Sequence, residues 1–129
     1  MNTLTQTAEI KDIGHDISVP ISVISFTEDN IHLLYAPSLD VYGTGYTVKE
    51  AKESFEIGLS EFFAYTIKKR TLKAELLKLG WIIKENKSSV TLRQPSLNEM
   101  LIRRPDLKDL MENKNYSHYH KSISIPSFS

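Results

Sequence analysis

His118 and His120, separated by Tyr119, are the pair of side chains best spaced to hold a metal ion. Residues two apart on a strand face the same side, and imidazole suits zinc, copper and nickel. The 129-residue chain has no cysteine, and no Asp or Glu lies between Tyr116 and Lys121, so nothing nearby in the sequence completes a ligand set. The pair is therefore read as part of a surface tail, and neither a metal nor a cofactor is assigned. The lack of cysteine also excludes disulfides, thiol catalysis and cysteine-ligated zinc. Of the other two histidines, His15 lies in an aperiodic segment, and His32 reads as a solvent-facing strand residue rather than a general base.

Other catalytic signatures are incomplete. Gly43-Thr44-Gly45 stands before a helix start, where backbone amides could hold phosphate, but the third glycine of a dinucleotide loop and the Gly-Lys-Ser/Thr of a P-loop are absent. The two glycines are read as serving a sharp strand-to-helix connection. No serine lies in a Gly-x-Ser-x-Gly elbow.

What remains is charge. Sixteen basic residues balance sixteen acidic ones. Residues 1–60 carry three lysines against nine acids, a net of −6, and the rest carries thirteen Lys and Arg against seven acids, a net of +6. Such asymmetry points to an electrostatic partner. In the acidic half, Glu28, Asp29, Asp40, Glu50 and Glu53 are the candidate partner-binding residues. In the basic half, Lys68-Lys69-Arg70, with Lys73 and Lys78 beyond, and Arg103-Arg104 are the candidate nucleic-acid contacts. Cations at a helix C-terminus also oppose the negative end of its dipole, which explains the first run equally well.

The elements that position these groups follow from periodicity. Ile17, Val19, Ile21 and Val23 alternate as in a strand, with Pro20 marking an edge or a start. Glu28-Asp29-Asn30 suits a tight hairpin turn into a strand over 31–36, and Pro37-Ser38-Leu39-Asp40 turns into a third strand over 41–46. Thr47-Val48-Lys49-Glu50 is a capping-box signal. It opens a helix of about 20 residues whose apolar stripe runs through Val48, Ala51, Phe55, Leu59, Phe62 and Thr66. Gly58 falls close to that stripe, where it would let helix and strands approach.

Thr71 and Gly80 bound a second helix, and a hairpin over 81–85 and 89–93 follows. Ser96 and Glu99 repeat the capping box before a helix that Pro105 breaks in two. A polar stretch over 112–117 leads to a last short strand, Ser122–Ile125, which needs another segment to pair with.

The run from Ala36 to Ala51, with Pro37, Leu39, Gly45, Thr47, Glu50 and Ala51 in order, resembles the HicB family of antitoxins, and the preceding hairpin fits the same pattern. The resemblance covers about Ser18 to Lys69. It implies an α+β fold: a three-stranded antiparallel sheet, part of a ribonuclease-H-like fold without its catalytic carboxylates, packed by a long amphipathic helix. A helix, a β-hairpin and short helices follow. It also implies binding, not enzymatic catalysis, with a small basic HicA-like RNA-cleaving toxin as partner. Residues 1–16 are expected to form a variable segment, 17–70 the HicB-like core, and 71–129 an extension packed on it. Ser122–Ile125 looks like the family's ribbon strand, but no recognition helix follows it, so operator DNA is the alternative partner.

The longest apolar runs, Leu33–Ala36 and Phe62–Tyr65, hold four residues where a membrane span needs about 20. Met1–Ile10 lacks the features of a secretory signal, so a cytoplasmic location without membrane contact is expected. Unpaired backbone at Pro20 and at Ile123-Ser124-Ile125 predicts self-association, with a dimer as the simplest closure, unless the tail folds back on its own sheet.

Overall fold

The computed structural model describes residues 7–10, 16–87 and 89–126, so His15, Ser88 and most of the 1–16 segment lie outside the described residues. The chain is α+β. In chain order the elements are β1 (Thr7–Ile10), β2 (Ile17–Glu28), β3 (Ile31–Ala36), β4 (Val41–Gly45), α1 (Val48–Lys69), α2 (Leu72–Lys78), β5 (Ile82–Glu85), β6 (Val90–Arg93), α3 (Leu97–Arg103), α4 (Pro105–Asn113) and β7 (Tyr116–Ile125). The main sheet is antiparallel with strand order β4-β3-β2-β7, and a smaller one has order β1-β6-β5.

The two-residue turn between β2 and β3 places Asp29 and Asn30 at φ 52° and 67°. Asx side chains tolerate this left-handed region, and a turn with both central residues there matches strand twist. The turn sets the register Glu28↔Ile31 through Ile24↔Tyr35. β3 then continues into β4 with Ala36↔Val41 through His32↔Gly45.

α1 runs back along β4. A Cβ on Gly43 would collide with the backbone of Phe55 and stand 2.8 Å from the Ala51 carbonyl oxygen. One on Gly45 would stand 2.6 Å from the Ala51 nitrogen. The glycine pair is thus a seat for the helix, and Gly58, whose missing Cβ would sit 3.1 Å from Val41, prolongs it. Ala51, Phe55 and Leu59 are buried there with Leu34, Ala36 and Val41 of the sheet. The same cluster takes in Leu72, Leu76, Trp81, Val90, Leu92, Ile123 and Ile125, so residues after 70 share the core. The opposite face of the sheet has a smaller cluster of Ile24, Phe26 and Leu107, flanked by Leu33, Tyr35, Leu110 and Met111.

Several sequence expectations need correction. The main sheet has four strands, not three, because β7 is ten residues long and pairs with β2 along its length, from Ile17↔Ile125 to Phe26↔Tyr116. The segment Ser122–Ile125 therefore finds its partner within the chain: the tail folds back, and tail exchange is not needed to pair it. Thr7–Ile10, which shows no period, pairs with β6. Val48 is 52% exposed rather than on the buried stripe, because the first turn of α1 overhangs the end of the sheet.

The caps are also resolved in detail. Thr47 Oγ1 accepts from the Glu50 amide at 3.0 Å, but Glu50 Oε1 answers the Tyr46 amide at 2.9 Å, one residue earlier than in a strict capping box. Ser96 and Glu99 form the full reciprocal pair. Thr71 precedes α2 without a side-chain cap bond.

Candidate partner-binding surface

Successive turns of an antiparallel meander fall at opposite ends of the sheet, and this divides the five acidic candidates. Glu28 and Asp29 belong to the β2–β3 turn. His32 lies opposite Gly45, and Gly45 abuts Glu50, so the start of α1 sits at the same end. Glu53 follows one turn along the helix and is exposed. Four acids thus share one end, while Asp40, at φ 56° in the β3–β4 turn, stands at the other.

Three apolar side chains that the charge pattern did not single out stand at the acidic end: Tyr46 is 75% exposed, Val48 52% and Ile31 38%. Their exposure has a local cause. Tyr46 connects β4 to the helix and Val48 begins α1, both past the last strand pairing, while Ile31 forms the terminal pair of the hairpin with Glu28 at the sheet's end. The sequence signal that could have found them is position, because apolar residues beside a turn and a cap lie outside the layers that bury a stripe. Lys49 and Lys52 flank the group, and Glu28 is paired with Lys114. Among the described residues Asp29 and Glu53 make no ion pair.

The other end is electrostatically closed. Arg104 Nη1 donates to the Tyr35 hydroxyl at 2.8 Å, and that hydroxyl donates to Asp40 Oδ1 at 2.6 Å. Arg104 also reaches Asp40 at 3.5 Å and grips both carboxylate oxygens of Asp106 at 3.2–3.3 Å. Burial, followed by the hydrogen bond to Asp40, pushes the Tyr35 phenol up to about 12, although the neighbouring guanidinium acts in the opposite direction. Arg104, hydrogen-bonded first of all to Asp106, is held more firmly protonated than usual, and the Asp106 carboxyl is lowered by the same contact.

The basic candidates divide too. Lys68 and Lys69 end α1, and Arg70 caps it in the left-handed conformation at φ 58°; all three are exposed. Arg103 instead donates to the Lys78 carbonyl oxygen at 3.3 Å, closing the C-terminus of α2. Lys78, Arg103 and Arg104 line a cleft of about 160 Å³ with Pro37, Leu79 and Met100. The cleft joins Arg103 and Arg104 to Lys78 but not to the Lys68–Arg70 run.

His118 and His120 do face one side of β7, with ring centroids 5.3 Å apart. Among the described residues no group of three His, Asp or Glu side chains could hold a metal ion. No described helix is long and apolar enough to cross a membrane. No protein-family model matches the chain, and no curated protein or solved structure matches it.

Proposed function

We propose that this protein is a HicB-like antitoxin that binds and neutralises a small basic RNA-cleaving toxin. The observation that carries the reading is the end of the sheet where Glu28, Asp29, Glu50 and Glu53 surround the exposed Tyr46, Val48 and Ile31. Protein interfaces combine an apolar, often aromatic centre with a polar rim, and this end offers both. An RNA-cleaving partner needs a basic face for phosphate, so an acidic rim both attracts it and covers it. The motif from Pro37 to Ala51 supports the family, and within it Thr47 and Glu50 cap the helix at this end.

Co-expression with the adjacent reading frame tests this, with recovery of a complex and rescue of growth as readouts. Complex formation should be lost on the charge reversal Asp29→Lys with Glu53→Lys. No complex and no rescue by the parent protein would sink the antitoxin reading.

A second reading, a DNA-binding autoregulator or an orphan accessory module, is favoured by the cleft that gathers Lys78, Arg103 and Arg104. Binding to upstream DNA that strengthens as salt falls would support it. Equal, negligible affinity for operator and random duplex at low salt would remove it.

A further inference from the structure

Among the described residues β7 is the outermost strand of the main sheet, and its open edge bears both spaced histidines. Which backbone groups face that edge follows from β2. The Ser22 amide donates away from β7, to Gln94 Oε1 at 3.3 Å, and the pair flanking the two-residue turn, Glu28↔Ile31, directs Glu28 toward β3. Backbone groups alternate sides along a strand, so even-numbered β2 residues point away from β7. Their partners in register, His118 opposite Ile24, His120 opposite Ser22 and Ser122 opposite Pro20, turn their own N–H and C=O groups outward to the free edge. The side chains of His118 and His120 lie on the face opposite Tyr119 and Lys121, and Lys121 is held toward α1 by Glu56 at 2.6 Å.

We propose that two copies of this chain pair antiparallel through β7, centred on Tyr119, and bind one zinc ion between them with His118 and His120 of each copy. In this register His118 stands opposite the second copy's His120. Both contribute outward backbone groups to the new ladder, and Tyr116 meets Ser122 in the same way. Directly opposite side chains of an antiparallel pair are about 4.5–5.5 Å apart at Cβ, so the register gathers four imidazoles on one face. Four nitrogen ligands satisfy the tetrahedral preference of zinc, and among the described residues one copy brings two to this edge. No like charges are opposed, since Lys121 meets Ser117. The occupant of the edge is thus a second copy, specified by a register that completes a ligand set a single chain leaves half filled. A twofold contact of this kind is self-complementary and closes at two.

The test is the mass of the full chain by light scattering, with zinc and then with excess chelator, alongside zinc content. The expected result is a zinc-dependent dimer of twice the monomer mass that holds one zinc per two chains and returns to monomer with chelator. His118→Asn with His120→Asn should stay monomeric in zinc while keeping the parent's thermal melt. Ser122→Pro keeps both imidazoles, removes an outward N–H and should weaken the dimer at least tenfold. A parent that stays monomeric in zinc, one zinc per chain, a dimer indifferent to chelator, or a zinc dimer that survives the double histidine substitution would each overturn the proposal. A zinc dimer untouched by Ser122→Pro would overturn pairing through the edge.

Discussion

The two ends of the main sheet carry charge in opposite ways. At the β3–β4 turn, Asp40 is spent on Tyr35 and Arg104, and Arg104 is spent again on Asp106. At the β2–β3 turn and the start of α1, Asp29 and Glu53 are left facing solvent beside Tyr46, Val48 and Ile31. One end uses its ionic groups to tie α4 to the sheet, and the other keeps them available. The lesson is that formal charge in the sequence does not identify a binding surface until the topology shows which charges already have partners.

The largest expected effect breaks the available end at its foundation. Gly45→Val would drive a side chain into the first turn of α1, where the Ala51 nitrogen is 2.6 Å from the Cβ position. Overpacking of this kind costs about 1–3 kcal/mol, which urea denaturation would show as a lower midpoint. An unchanged midpoint would mean that α1 is not seated on this glycine.

Thr47→Ala comes next. Removing the acceptor for the Glu50 amide should cost about 0.5–2 kcal/mol, several degrees of melting temperature in a domain of this size. No nucleotide should shift the melt of the parent protein, because Thr47 serves the helix and not a phosphate. An unchanged melt in the variant would contradict the cap.

At the closed end, Arg104→Ala breaks contacts that are partly exposed and screened by solvent, so a loss of about 0.5–1 kcal/mol is expected. The Tyr35 phenol sharpens this end through pH. Its folded-state value of about 12 lies above the ordinary 10.0, so the unfolded chain gives up this proton first as pH rises. The stabilisation tied to the neutral phenol is fully present below pH 10 and is lost between about 10 and 12. Ultraviolet titration of tyrosinate should show a group ionising near 12 that disappears in Tyr35→Phe, while Tyr119, which burial also raises, remains; no missing group in the variant would contradict the assignment.

The smallest stability effect belongs to the available end. Asp29→Asn and Glu53→Gln should change stability by no more than about 0.5 kcal/mol while weakening capture of a basic partner. If both substitutions destabilised the fold strongly, these carboxylates would be structural like Asp40.

Local rules made much of the fold legible. The left-handed Asp29-Asn30 turn, the Thr47 and Ser96 caps, the break at Pro105 and the Gly80 terminus at φ 100° each depend on neighbours within a few residues. The β7 pairing was hidden because nothing local encodes it: Tyr-Ser-His-Tyr-His-Lys alternates without an apolar face, and only Ile123 and Ile125 are buried. The separation of Asp40 from the other acids was readable in principle, since consecutive meander turns must alternate ends. The Tyr35–Arg104 contact was not, because it joins positions 69 residues apart. Gly43 and Gly45 were recognisable as special, but their work as a helix seat required knowing that α1 doubles back over β4.

The pairing of β2 with β7 also governs when the fold can be completed. Asp16 and Ser124, whose side chains meet across it at 3.5 Å, are 108 positions apart. Closing so long a loop slows folding relative to local contacts. On the ribosome, at about 5–20 residues per second, roughly 5–20 s separate the emergence of the two strands. During that interval β2 presents Ile17, Val19, Ile21 and Val23 without this neighbour. Pro20 withholds one N–H on the flank away from β7, and Ser18 and Ser22 interrupt the apolar residues on either side, so the nascent strand carries its own brakes against pairing with the wrong chain.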